Sequence, residues 1–106
     1  MQKTVSTFTA TIYLSGPIEI IKQTCRKFCL DVGLCVTVKP TVFIYTGGEE
    51  YGVEIGLLNY PKFESTPDEI LKTAIELANN CREDAAQDSW LIVTPEDTIW
   101  DSTRTK

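Results

Sequence analysis

From Val5 to Leu14 the chain alternates, with Phe8, Ala10, Ile12 and Leu14 on one side and Val5, Thr7, Thr9, Thr11 and Tyr13 on the other. A period of two predicts a strand with one buried face, and here the second face is rich in threonine. Ser15-Gly16-Pro17 ends it. Pro17 suits the first position of a helix, and Glu19 falls in the first turn, where an acid complements the helix dipole. Ile18, Ile21, Cys25, Phe28, Cys29 and Val32 then recur at helical spacing, while Glu19, Lys22, Gln23, Arg26 and Lys27 take the opposite side. The pattern predicts an amphipathic helix that stops at Gly33.

Leu34 to Thr46 is rich in valine, isoleucine and aromatic residues and reads as a long strand. Pro40 interrupts it and cannot donate to a ladder, so the strand is expected at a sheet edge or with a bulge. Gly47-Gly48-Glu49-Glu50 supplies a turn, and Tyr51 to Tyr60 returns as the second arm of a hairpin. Thr66-Pro67-Asp68-Glu69 combines an N-cap threonine, a proline at the first helical position and a glutamate placed to close a capping box. The helix it opens carries Ile70, Leu71, Ala74, Leu77, Ala78, Cys81 and Ala85 along one stripe and breaks at Asp88-Ser89. Trp90 to Thr94 is a short strand; the remainder has one apolar pair, Ile99 and Trp100, and residues 101–106 read as a frayed tail. The expected fold is a single α+β domain over residues 1–106. Its order of elements is ferredoxin-like βαββαβ, a four-stranded antiparallel sheet with two helices on one face.

With 106 residues, 42% hydrophobic and 24% charged, the chain has the composition of an ordinary globular domain. Histidine is absent, which removes the commonest general base and metal ligand together with every Ser-His or Cys-His scheme. The opening segment Met1 to Thr7 has one lysine and no apolar run, so no signal peptide is expected. No stretch has the apolar length of a membrane-spanning helix. Of the four cysteines, Cys25 and Cys29 fall on the first helix's apolar stripe and none forms a C-x-x-C pair, which favours reduced thiols, no metal, no cofactor and a cytoplasmic setting.

The net charge of −5 is uneven. Residues 1–46 hold five Lys/Arg against two acids, a balance of +3, and residues 47–106 hold five against thirteen, a balance of −8. Lys22, Arg26 and Lys27 are expected beside acids of the second helix, where exposed pairs contribute about 0–1 kcal/mol each. The sharper alternative is an acidic face of Glu49, Glu50, Glu54, Glu64, Glu76 and Glu83 that docks a basic partner. With both helices on one side of the sheet, the other side is left to Tyr13, Phe43, Tyr45 and either Trp90 or Leu91, a contact patch for a second copy, a protein partner or a small ligand.

An open sheet with aromatics invites comparison with RNA-recognition domains, whose third strand needs a basic residue where this chain has acids; nucleic acid is therefore not an expected partner. Ile12-Tyr13-Leu14-Ser15-Gly16-Pro17 and Glu54-Ile55-Gly56 resemble short segments of nucleoside deoxyribosyltransferases. That resemblance implies a parallel, doubly wound sheet with Glu54 as the nucleophile that captures the sugar. The hairpin read from residues 34–60 is incompatible with such a sheet, and no full catalytic set stands out. The residue pattern thus predicts a non-enzymatic interaction protein, a homodimer acting on a protein partner, with a small-ligand-sensing module at a dimer interface as the alternative. Its binding residues are Tyr13, Phe43, Tyr45, Glu49, Glu50, Glu54 and Trp90. The rival class is an enzyme using carboxylates around Glu54, or Cys35 as nucleophile, on nucleosides or nucleotides.

Overall fold

A computed structural model of the chain describes residues 1–104. Among these, the elements run β1 (Thr9–Ser15), α1 (Ile18–Val32), β2 (Thr37–Tyr45), β3 (Gly48–Leu58), a 3-10 turn (Pro61–Phe63), α2 (Pro67–Asp84), β4 (Ser89–Val93) and β5 (Thr98–Ser102). All neighbouring strands pair antiparallel in the order β2-β3-β1-β4-β5.

This corrects the four-stranded ferredoxin-like expectation: the sheet has five strands, the last built from the segment around Ile99 and Trp100. Its few apolar residues hide it from a periodicity reading: Ile99 packs against the core, and the ladder to β4 and polar contacts supply the rest. Arg82 of α2 donates to Asp101 at 2.6 Å, the Thr103 backbone N–H donates to the Asp88 carbonyl at 2.8 Å, and Arg104 donates to the Asp88 carboxylate at 2.9 Å. Asp101 and Ser102, read as tail, belong to β5; residues 105–106 of that tail lie outside the described residues. The all-antiparallel pairing equally excludes the parallel sheet that the deoxyribosyltransferase resemblance implied.

Local chemistry explains the boundaries. Thr66 accepts the Glu69 backbone N–H while the Glu69 side chain accepts that of Thr66, so α2 starts on a complete capping box. Pro17 occupies the N-cap of α1 rather than its first helical position. At the other end Gly33 adopts φ 79°, the left-handed conformation that closes a helix without a Cβ penalty. Tyr45 pairs with Gly48 across the Thr46-Gly47 turn, where Gly47 has φ 93°. β2 is an edge strand, which accommodates the missing N–H of Pro40.

Both helices cover one face. Ala10, Ile12 and Leu14 of β1, Val53, Ile55 and Leu57 of β3 and Trp90 and Ile92 of β4 meet Ile21, Cys25 and Phe28 of α1 and Ile70, Ala74, Leu77 and Cys81 of α2 in one buried cluster. The helices are pinned to each other where buried Thr24 donates to Asp84 at 2.6 Å. Of Lys22, Arg26 and Lys27, expected beside acids of α2, Lys22 bonds Glu19 on its own helix and Arg26 donates to Gln23, whereas Lys27 lines a concavity with Glu83 and Asp84 of α2. The four cysteines are free thiols, Cys25 and Cys81 buried, Cys29 half-buried and Cys35 exposed. Among the described residues no helix is long and apolar enough to cross a membrane.

Candidate functional site

Residues paired across an antiparallel ladder share a face, so register alone defines what stands on the helix-free side of the sheet. Lys39 faces Glu54, Glu54 faces Tyr13, Tyr13 faces Leu91 and Leu91 faces Trp100, giving one continuous row from β2 to β5. Lys39 Nζ lies 3.7 Å from Glu54 Oε1. Four residues back along β3, Glu50 accepts a hydrogen bond from Ser15 Oγ at 2.7 Å. Phe43, the ladder partner of Glu50, is half-buried and fills the space over Gly52.

Of the residues selected from sequence, Tyr13, Phe43, Tyr45, Glu50 and Glu54 therefore come together on this face, with Tyr45 at the exposed hairpin end against Gly48. The other two do not. Glu49 pairs with Ile44 on the opposite side of the hairpin. Trp90 is buried under α2, where its indole N–H donates to Asn79 at 2.9 Å and the Arg82 guanidinium sits 5.7 Å from its ring. The proposed single acidic face is likewise divided, with Glu50 and Glu54 on the sheet and Glu76 and Glu83 on α2. Of the pair Trp90 and Leu91, it is Leu91 that takes the open face; Lys39 and Trp100 are not among the expected site residues, although odd-numbered alternation along residues 37–45 already puts Lys39 in line with Phe43 and Tyr45.

The arrangement is a shallow surface on which the described strand residues bring two carboxylates, one ammonium, two phenols and further aromatic rings. Carboxylates and aromatic faces both attract organic cations, the former by charge and the latter through the ring quadrupole. Glu54 retains 23% of its side-chain exposure and Lys39 71%, so the acid is the more sheltered member of the pair.

A second concavity of about 200 Å³ opens where the end of α1 meets the turn after β3, lined by Leu34, Cys35, Leu57, Tyr60, Phe63 and Ile70. Cys35 Sγ lies 3.3 Å from Tyr60 Oη, and this thiol contact pushes the phenol above its ordinary range. Its lining holds a thiol and hydroxyls but no charged group. Such a cavity offers shape and weak polarity rather than the charge that the open face concentrates.

No protein-family model matches the chain, and no curated protein matches it. Solved structures do. A phage SAM lyase in the apo state is 16% identical with a TM-score of 0.80, the match covering 100% of this chain and 98% of that one. A phage SAM lyase in complex with S-methyl-5'-thioadenosine is 14% identical with a TM-score of 0.77, covering 97% and 95%. At these identities the likeness is one of fold over the whole chain. The expectation of a non-enzymatic protein-binding domain is corrected by these neighbours, both structures of an enzyme and one of them holding a small nucleoside ligand.

Proposed function

We propose that the chain is a lyase acting on sulfonium nucleosides of the S-adenosylmethionine class, with the helix-free face of the sheet as its substrate-binding surface. The observation that carries this reading is the row Lys39, Glu54, Tyr13, with Glu50 and Phe43 alongside, on a chain that shares its complete fold with a SAM lyase. The ligand seen in one neighbour, S-methyl-5'-thioadenosine, is what remains of S-adenosylmethionine when the bond from sulfur to the amino-acid arm breaks. In that step the bonding electron pair goes to sulfur, which leaves as a neutral thioether. The four-carbon fragment either closes on its own carboxylate or gives up a proton to form an alkene. No water enters.

Sulfur loses its charge as the bond breaks, so a carboxylate placed against the sulfonium would hold substrate more tightly than transition state. Glu54 serves the reaction better toward the amino-acid arm, where it holds the ammonium group or accepts the departing proton. Phe43 and Tyr13 offer the flat surfaces for the cationic ligand. The absence of histidine is no obstacle to this chemistry, since the leaving group needs no protonation.

Incubating the purified protein with S-adenosylmethionine and separating the products by chromatography tests the reading. The expected result is protein-dependent S-methyl-5'-thioadenosine, with Glu54→Gln slowing its release by about 100-fold at unchanged circular dichroism. Absence of that product at stoichiometric protein would overturn the assignment.

A further inference from the structure

We infer that Lys39 selects for ligands with a free carboxylate at the end of the amino-acid arm, exchanging its Glu54 partner for that carboxylate on binding. The inference rests on the reading of the open face given above and adds a specificity-determining residue to it. Among the described strand residues that register places on this face, Lys39 is the sole cation, set against Glu50 and Glu54. Its contact with Glu54, at 3.7 Å and with 71% of the lysine side chain exposed, is loose and solvent-screened, hence easily exchanged.

Charge balance gives the exchange its direction. A cationic ligand that engages Glu54 leaves Lys39 without its ion-pair partner, and no other described strand residue on this face is cationic. A ligand carrying its own carboxylate restores the balance, replacing one weak ion pair by two. S-adenosylmethionine carries both charges on its amino-acid arm. The backbone permits the movement: β2 is an edge strand, Pro40 follows Lys39, and the neighbours along the same face are the small Thr37 and Thr41, so the lysine can swing without disturbing the ladder.

Isothermal titration calorimetry with two uncharged-sulfur probes tests this without turnover. S-adenosylhomocysteine has the amino-acid arm, and S-methyl-5'-thioadenosine lacks it. Lys39→Met is expected to weaken S-adenosylhomocysteine by about tenfold and S-methyl-5'-thioadenosine by less than about twofold, with Lys39→Arg restoring most of the loss. Equal effects on both probes, or none on either, would overturn the role of Lys39 while leaving the site reading in place. An unsubstituted protein that binds neither probe overturns both.

Discussion

The ring of Phe43 occupies the space that a side chain at residue 52 would need: a Cβ built on Gly52 would stand 2.5 Å from Phe43 Cε2 and closer still to the Leu14 carbonyl oxygen. Glycine is therefore required here by crowding. Gly52→Ala is expected to destabilise the protein by about 1–3 kcal/mol, as overpacking does, and to displace Phe43 from the open face. Gly56→Ala is the control. Its Cβ would meet Thr37 Oγ1 at 2.5 Å, but a hydroxyl can rotate away, so the cost should stay under about 1 kcal/mol. Thermal melts of the two variants decide the matter; equal losses would show that Phe43 and the Leu14 backbone are not the obstacle.

The capping box at the start of α2 makes stability depend on pH with a definite sign. The Glu69 carboxylate accepts the Thr66 backbone N–H at 2.8 Å, and hydrogen bonding from Thr66 holds it below the usual glutamate range. A depressed folded-state value means the contribution is complete above the unfolded value of about 4.3 and is lost as pH falls through the folded value. The melting temperature of the unsubstituted protein should exceed that of Glu69→Gln at pH 7, and the gap should close on acidification below about pH 4. Thr66→Ala, which removes the reciprocal bond, should cost about 1 kcal/mol across the whole range. A gap that persists unchanged to pH 3 would assign the effect of Glu69 to something other than its charge.

Thiol chemistry should separate the cysteines by depth. Cys35 is exposed, whereas Cys25 and Cys81 are buried between the helices, where hydrogen bonding to Cys25 and burial push the Cys81 thiol far above its ordinary range. Thiolate is the reactive form, so Cys35 should take up iodoacetamide first, Cys29 more slowly, and Cys25 and Cys81 only on unfolding. Peptide mapping by mass spectrometry after timed alkylation reads the order. Early labelling of Cys81 would mean that the α1–α2 seam opens readily.

How far this could be read from sequence depends on where the information sits. Alternation from Phe8 to Leu14, the stripe from Ile21 to Phe28 and the capping signal at Thr66 are local patterns, and each leads to the element found. Alternation also places Tyr13, Phe43 and Tyr45 on one side of their strands. What remains hidden is pairing order, since the juxtaposition of Lys39, Glu54 and Tyr13 arises from β3 lying between β2 and β1. Trp90 shows the limit of composition: an aromatic beside Leu91 could face either way, and only its bond to Asn79 and the cover of α2 fix it inward. The fifth strand escaped because its one inward-packed apolar residue, Ile99, is too little to set a period of two.

That strand gives the sharpest test of how the sheet is completed. Arg82 Nη1 donates to Asp101 at 2.6 Å, Arg82 Nη2 donates to Asn79 at 3.0 Å, and Asn79 Oδ1 also accepts from the Trp90 indole at 2.9 Å. Arg82 keeps only 12% of its side-chain exposure, so its guanidinium depends on these partners. The network joins α2 to both β4 and β5. Asp101→Asn preserves shape but removes the charge, and should cost about 1–2 kcal/mol, within the range for hydrogen bonds to charged groups and discounted for the exposed aspartate. The loss should be local: amide hydrogen exchange is expected to rise in Thr98–Ser102 while the β1 and β3 amides stay protected. Arg82→Ala should do more, because it also exposes the Trp90 ring. If Asp101→Asn instead raises exchange uniformly across the sheet, β5 is part of the cooperative core and polar contacts from α2 are not what holds it in place.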